Sequence, residues 1–202
     1  QVLLDSHQCM DIQKEFFENT HNHEHVEVSS KNSTDLECLF SQKNSRILLS
    51  KSINCIWDTL EIAIQEYKEL YPVVSQLSLD WGLYDKFNIQ FYNPGQGFGK
   101  YHCENLPYLS RFLVWTIYLS NTPDGGTEFL HFDNHIEKCE MGKVVIFPAD
   151  WTFMHRSQIS TSRCMESVWA SRVVWRYKSR RQSRHGRGTK THGMGGLGRQ
   201  PN

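Results

Sequence analysis

The order of the hydrophobic periodicities restricts the fold of this chain more than any other feature. A helical pattern comes first, because apolar residues recur at spacings of three and four through 52–71, with Ser52 placed as a cap and Pro72 as a stop. After Trp81 the pattern changes to short apolar runs and to period two, which is typical of strands. A helix followed by strands predicts an α+β domain and argues against a parallel βαβ fold.

Five strands are predicted in the second part of the chain. Strong turn signals separate them, at 93–97, 123–126 and 141–142. Helices at one end and short strands at the other favour an antiparallel sandwich or barrel that the helices buttress. The predicted strands are 87–92, 111–119, 127–132, 143–147 and 168–175.

The stretch before the long helix gives weaker signals. Residues 10–18 suggest a short helix, whereas 21–34 is polar and is interpreted as a loop. His21, His23 and His25 alternate within this stretch, and one hypothesis is that they capture a metal ion. A solvated polar segment is the favoured interpretation, because nothing nearby in the sequence would shape a site.

Composition and charge narrow the class of protein. With 202 residues, 39% of them hydrophobic, the chain can bury one ordinary core, so one domain is expected. A formal net charge of zero gives no global field for nucleic acid or membrane, and no apolar run approaches the ~20 residues that span a bilayer. The chain opens on Gln1 without the pattern of a signal peptide. Six cysteines scattered singly predict reduced thiols in the cytoplasm rather than a disulfide scaffold.

Residues 177–202 differ sharply in composition from the rest of the chain. They are rich in Arg, Ser, Gly and His and almost devoid of apolar side chains, so they cannot bury enough surface to become ordered. A disordered tail is the favoured interpretation. The alternative is a basic arm that contacts nucleic acid phosphates.

The first candidate for chemistry is His102-Cys103-Glu104, which follows a glycine-rich turn. On an extended chain, residues two apart point to the same face, so His102 and Glu104 can reach one ion together. With a second histidine from elsewhere they would form the facial triad that binds Fe(II) and leaves three positions open. Spacing alone does not choose this pair, since the same spacing recurs at 25–27, 131–133 and 135–137.

Four ordered blocks give the middle of the chain a resemblance to a known family. The first is Tyr92-Asn93-Pro94-Gly95, with His102 ten positions after Tyr92. The other blocks are Arg111 with the strand ending Tyr118-Leu119-Ser120-Asn121, then Gly125-Gly126-Thr127-Glu128-Phe129, then 142–148 followed by Trp151 and His155. With these blocks, residues 88–160 resemble the iron- and 2-oxoglutarate-dependent dioxygenases of the prolyl-4-hydroxylase-like family.

The resemblance implies a fold and a metal site. The fold is a double-stranded β-helix, a jelly-roll-like antiparallel sandwich, spanning 87–176 and supported by an N-terminal helical region at 1–86. The metal ligands are His102, Glu104 and His155. Glu104 stands where the family more usually has aspartate, but it remains an oxygen ligand of suitable hardness and charge.

The resemblance also implies contacts to the cosubstrate. Tyr92 and Tyr118 match positions where family members place tyrosine hydroxyls near 2-oxoglutarate, the alternative for each being ordinary strand packing. The family places a basic residue about nine or ten positions after the second histidine, but Cys164 and Met165 stand there. Arg163 is therefore the candidate partner of the distal carboxylate, which calls for a bidentate guanidinium, with Arg172 in reserve.

The implied activity is hydroxylation that uses Fe(II), 2-oxoglutarate and O2, with ascorbate as an accessory reductant, and that releases succinate and CO2. The expected substrate is a peptidyl proline or another side chain of a peptide or protein, with no membrane partner. One alternative is a catalytically silent metal-binding barrel that serves as a binding module. Another is a cupin-like zinc or manganese protein, because the same ligands accept other divalent ions.

Overall fold

The computed structural model describes residues 1–39, 51–76, 80–104, 111–161 and 168–178. The helices are α1 (Ser6–Glu18), α2 (Lys51–Leu70) and α3 (Val73–Gln76), with 3-10 turns at Thr20–Asn22 and Trp151–Phe153. The strands are β1 (His23–Val28), β2 (Lys31–Leu39), β3 (Asp80–Tyr92), β4 (Arg111–Tyr118), β5 (Thr122–Phe129), β6 (His135–Cys139), β7 (Val144–Pro148), β8 (His155–Ser157) and β9 (Val168–Lys178).

The two long helices form as their apolar spacing requires. In α1, Cys9, Ile12 and Phe16 are buried at spacings of three and four, and a capping box between Asp5 and Gln8 begins the helix. The helix predicted at 52–71 is confirmed as α2. Its buried apolar residues, which are Ile56, Leu60, Ala63 and Ile64, join those of α1 in the main hydrophobic core.

The strands form two sheets in which every described pairing is antiparallel. The larger sheet has six strands in the order β1-β2-β3-β9-β4-β7, and the smaller has three in the order β6-β5-β8. The main core joins the helices to the larger sheet through Leu36, Phe87, Ile89 and Trp115, among others. A second core lies between the sheets and contains Val114, Phe129, Phe147 and Ala149. The α+β prediction, with helices buttressing antiparallel sheets, is confirmed.

The loop predicted at 21–34 is wrong, because most of this stretch forms a β-hairpin. Strands β1 and β2 pair with each other, and β2 pairs with β3, so the hairpin extends the larger sheet. Its buried positions include Ser33 and Asp35, which hydrogen-bond to each other, so the hydrophobic alternation that marks a strand is missing from the sequence. The predicted boundary at residue 86 falls inside β3.

The turn predicted at 123–126 is also wrong, because these residues lie inside β5 at a bulge. The register with β6 shifts between Thr122 and Gly126. Gly126 has φ 141°, and a Cβ there would lie 2.3 Å from the carbonyl oxygen of Glu137, so only glycine fits. Strands β6 and β8 were not predicted.

The described residues bear on two further predictions. None of their helices is long and apolar enough to cross a membrane. The five cysteines among them are not in disulfides. Cys164 and 179–202 lie outside the described residues, so the disordered tail and the basic arm stay predictions.

Candidate functional site

Two histidines are brought face to face by main-chain hydrogen bonds. His102 lies on an extended segment two residues before Glu104, and His155 begins β8. They form an isolated antiparallel bridge, with each amide donating to the other's carbonyl at 2.9 Å. Their ring centroids lie 4.4 Å apart, and Phe98 stacks on the other side of His102 at 3.7 Å. Main chain and packing thus fix both rings.

Both rings present the same nitrogen to the space between them. Nδ1 of His102 lies 2.9 Å from the carbonyl oxygen of Lys100, and Nδ1 of His155 lies 2.9 Å from that of Phe153. A carbonyl can only accept, so in each neutral ring Nδ1 carries the proton and Nε2 offers its lone pair. Such second-sphere carbonyls orient histidine ligands in metal sites.

Glu104 completes the cluster. Its main-chain amide donates to the carbonyl of Ala149 at 3.1 Å, and its buried carboxylate places Oε1 3.4 Å from Nε2 of His102. The donor atoms of His102, Glu104 and His155 all lie within 4.8 Å of one another. The structure therefore brings together the three residues predicted as ligands, although His102 and Glu104 lie on an extended segment with one bridge rather than in a regular strand.

The chemistry of this donor set fits a divalent transition metal. Two neutral imidazole nitrogens and one carboxylate suit Fe(II), and they also accept zinc or manganese. Within the described ranges this is the one group of three side chains able to hold an ion. His25 and Glu27 have the same sequence spacing, but both are exposed, and Nε2 of His25 lies 4.0 Å from Oε2 of Glu27. Among the described residues, no third ligand lies with His135 and Glu137.

A polar cavity lies beside the cluster. Ser157 of β8 lines it, two positions after His155 and so on the same face of the strand. Opposite, the larger sheet contributes Tyr92, Thr116 and Tyr118, and β5 contributes Gly126 and Thr127. The predicted cosubstrate contacts Tyr92 and Tyr118 thus share one cavity next to the histidines.

The hydroxyl of Tyr118 joins the two sheets. It lies 2.7 Å from Oγ1 of Thr127, and it donates to the carbonyl of Glu137 at 3.3 Å. Tyr118 is only 2% exposed. A ligand in the cavity would therefore meet a hydroxyl whose position is set from both sheets.

The hydroxyl of Tyr92 is oriented by a buried polar chain. The carboxylate of Asp35 accepts from Nε2 of Gln90 at 3.2 Å, so Oε1 of Gln90 must face Tyr92. Tyr92 donates its proton to that oxygen at 2.8 Å. Lys31 lies 2.5 Å from Asp35, which completes the chain at the hairpin. Because its proton is engaged by Gln90, the Tyr92 hydroxyl can act toward a cavity ligand only as an acceptor.

Arg163 and Arg172, the two basic residues predicted to bind the cosubstrate, differ in what the structure shows of their positions. Arg163 lies outside the described residues. Arg172 lies in β9, where its register partners are Asn88 of β3 and Thr116 of β4. Directly opposed residues of an antiparallel sheet share a face, and Thr116 lines the cavity, so position 172 belongs to the cavity face of the sheet.

A second carboxylate cluster supports the segment that carries His102. Glu128 of β5, only 6% exposed, accepts from the hydroxyl of Tyr101, from Nε of Arg156 at 2.9 Å and from the amide of Gln158. Burial alone would raise the pKa of Glu128, but these hydrogen bonds and the charge of Arg156 outweigh burial and lower it. Sequence patterns did not reveal this cluster, because its members are scattered along the chain.

Known sequences and solved structures give different results for this chain. No protein-family model matches the chain, and no curated protein matches it. Solved structures do match. A prolyl-4-hydroxylase from Pseudomonas putida aligns with a TM-score of 0.63 at 14% identity, covering 89% of this chain and 91% of that one. The chain has the fold of that hydroxylase.

Two further structures share this fold. A prolyl hydroxylase from Trichoplax adhaerens, solved in complex with a peptide fragment of the hypoxia inducible factor oxygen degradation domain, has a TM-score of 0.56 at 12% identity and covers 85% of this chain and 77% of its own. The non-heme alpha ketoglutarate dependent epimerase SnoN from nogalamycin biosynthesis has a TM-score of 0.52 at 12% identity, with 88% and 78% covered. At these identities the likeness establishes the fold alone.

Proposed function

We propose that the chain is an Fe(II)- and 2-oxoglutarate-dependent oxygenase that hydroxylates a side chain of a peptide or protein, a peptidyl proline among the candidates. The observation that carries this proposal is the convergence of two imidazole nitrogens and one carboxylate, with the strand that begins at His155 also lining a cavity of polar residues through Ser157. The shared fold supports it, since the neighbours include prolyl hydroxylases and an alpha ketoglutarate dependent enzyme. The two sheets would form the halves of a double-stranded β-helix.

In this proposal His102, Glu104 and His155 hold Fe(II), which when bound supplies O2 activation coupled to conversion of 2-oxoglutarate into succinate and CO2. The protein fixes the ligands before the metal arrives, through the bridge between the histidines and the carbonyls behind each ring. When Tyr118 donates to Oγ1 of Thr127 instead of to the carbonyl of Glu137, Thr127 can donate its own proton to a carboxylate in the cavity. Tyr92, whose proton is engaged by Gln90, offers only acceptor lone pairs.

We assign the distal carboxylate of 2-oxoglutarate to Arg172. Four cations in or beside the described strands already have acidic partners: Arg111 with Glu104, Lys143 with Glu137, Lys31 with Asp35 and Arg156 with Glu128. Arg172 lies at a register position on the cavity face, next to Thr116. A guanidinium there would supply the paired donors that a carboxylate in a partly dry cavity requires. Arg163 stays the alternative.

Exposed aromatic residues support a substrate with an apolar side chain. Trp151, which is 72% exposed, lies in the 3-10 turn that leads directly into His155. Phe132, 46% exposed, packs on Phe153 of the same turn with 4.9 Å between ring centroids. These rings lie beside the metal cluster, since Phe153 and His155 both pack on Phe147. Exposed aromatic groups of this kind are typical of binding surfaces.

The test is a 2-oxoglutarate turnover assay on the full chain with Fe(II), ascorbate and air. The proposal predicts succinate formation that requires Fe(II) and is abolished in His155→Ala. Iron binding without any succinate, and without affinity for 2-oxoglutarate, would favour the silent metal-binding barrel instead. The ion pairs that already engage Arg111, Lys143 and Lys31 are the observation behind that second candidate, because they leave fewer cations for a cosubstrate. Metal content after anaerobic purification separates both from a zinc or manganese protein.

A further inference from the structure

Glu104 has a longer side chain than the aspartate that is more usual in the family it resembles. In the structure, Arg111 contacts the end of that side chain. The guanidinium Nη1 of Arg111 contacts Oε2 of Glu104. The other oxygen, Oε1, lies on the side of His102, 3.4 Å from its Nε2. The two oxygens of one carboxylate are therefore in different environments, one facing a cation and the other facing the histidines.

The main chain sets the distance between these two residues. Ala149 is 1% exposed and follows β7. Its carbonyl accepts from the amide of Glu104 at 3.1 Å, and its own amide donates to the carbonyl of Phe112, next to Arg111, at 3.0 Å. One buried residue thus holds the segments of the acid and the base on either side of itself. The ion pair is built into the fold rather than formed by chance between mobile surface groups.

We propose that Arg111 is a positioning residue that makes Glu104 a one-oxygen ligand. This inference rests on the proposed metal site and deepens it. A charge-assisted hydrogen bond from Arg111 engages Oε2, so Oε1 alone is presented to the ion. The number of metal positions left open depends on whether Glu104 binds through one oxygen or through both. A facial triad leaves three positions, whereas a glutamate that binds through both oxygens, as at many calcium sites, would occupy one of them.

The consequence concerns the cosubstrate. A chelating 2-oxo acid requires two metal positions, and O2 requires a third. The extra methylene of glutamate gives its carboxylate more freedom to fold onto the ion with both oxygens, and Arg111 opposes that freedom. Position 104 can then hold glutamate without loss of an open position.

Removal of Arg111 provides a test with an informative sign. Loss of a nearby positive charge would by itself strengthen the binding of a dication. A second carboxylate oxygen on the ion would act in the same direction, so Arg111→Gln should bind Co(II) at least as tightly as the wild type. The loss should instead appear at the cosubstrate positions: we expect the Co(II)-loaded Arg111→Gln chain to bind 2-oxoglutarate about 10–100-fold more weakly, the range for outer ligand partners, and Arg111→Lys to lose less.

Two comparisons sharpen the experiment, which titrates first Co(II) and then 2-oxoglutarate and measures both affinities. In a Glu104→Asp background the shorter arm no longer needs the guanidinium, so adding Arg111→Gln should change the 2-oxoglutarate affinity less than about threefold, well below the outer-partner range. Lys143→Gln breaks a similar ion pair, that of Lys143 with Glu137. It should leave both affinities within about twofold, again below that range.

The outcomes are distinct. Unchanged 2-oxoglutarate affinity in Arg111→Gln would overturn the positioning role, and so would an equal loss in Lys143→Gln, since that would reflect general loosening. Failure of the wild-type chain to bind Co(II), or to bind 2-oxoglutarate once loaded, would overturn the proposed site itself and this inference with it. Thermal unfolding of each variant establishes that the proteins being compared are folded.

Discussion

The main-chain amide of His102 donates to the carbonyl of His155, and the carbonyl of His102 accepts from the amide of His155, both at 2.9 Å. Residues far apart in the sequence thus lie opposite each other, with ring centroids 4.4 Å apart. Their spacing is set by the backbone, and each ring is turned by a carbonyl behind it. A site arranged in this way is organised before an ion binds.

The first prediction concerns which histidines bind metal. In the proposed metal site His102 and His155 each supply a ligand atom, so replacing either by alanine should lower Co(II) affinity beyond the roughly 100-fold that outer-sphere changes reach. His135→Ala is the matched control, since His135 pairs with an acid at the same sequence spacing but is 61% exposed at its side chain. Titration with Co(II) measures all three. Equal losses in His135→Ala would contradict the assignment.

The second prediction concerns the cosubstrate carboxylate. Arg172→Gln removes a charged donor from the cavity face, and hydrogen bonds to charged groups contribute about 1.5–3 kcal/mol, so 2-oxoglutarate affinity should fall about 10–100-fold. Co(II) affinity should be unchanged, because Arg172 is not a ligand. Calorimetry on the Co(II)-loaded chain measures the fall. A loss in Arg163→Gln with none in Arg172→Gln would reverse the assignment.

Much of the fold followed from the sequence where burial is apolar. Helix α2 was predicted from its periodicity, and β4 and β7 from their apolar runs, because these elements bury hydrophobic side chains. Strand β2 was missed because it buries Asp35 and Ser33 through hydrogen bonds rather than through hydrophobic contact. The pair Gly125-Gly126 predicts a turn, because the sequence pattern of a turn is the same as that of a bulge.

The candidate site, like the fold, could be predicted from the sequence only in part. The three donor residues could be predicted from ordered blocks of resemblance, and the structure brings them together. Arg111 could be noted as part of such a block, but its contact with Glu104 depends on Ala149, a residue with no chemical signal. Gln90 and Asp35 were missed because their role exists only when neighbouring strands are in register.

The third prediction concerns the chain from Lys31 to Tyr92. Asp35→Asn should leave the ammonium of Lys31 without its ion pair and disturb the orientation of Gln90. Breaking one side of a buried ion pair costs about 3–5 kcal/mol, and we expect a loss near the lower end because Lys31 is partly exposed. Urea unfolding measures it. Glu27→Gln on the exposed hairpin face should change the free energy of unfolding by less than about 0.5 kcal/mol.

The fourth prediction concerns acid stability. Burial opposes ionisation of Glu128, but its hydrogen bonds to Tyr101 and Arg156 prevail, so its pKa is below the ordinary 4.5 in the folded chain. A group of this kind stabilises the fold above its unfolded pKa, and that stabilisation is lost as the pH falls through its folded pKa. The free energy of unfolding should therefore drop as the pH is lowered from about 5, and Glu128→Gln should show a shallower drop. Parallel curves for the two proteins would exclude Glu128 as a source.

The most direct test of the central claim is an anaerobic titration of the full chain with 2-oxoglutarate in the presence of Fe(II). Chelation of iron by a 2-oxo acid gives a visible charge-transfer band, which requires both the ligand cluster and the cavity. We predict one 2-oxoglutarate bound per chain, a band that appears only with Fe(II), and its loss in His155→Ala. Iron bound by the wild-type chain with no band and no 2-oxoglutarate binding would contradict the account.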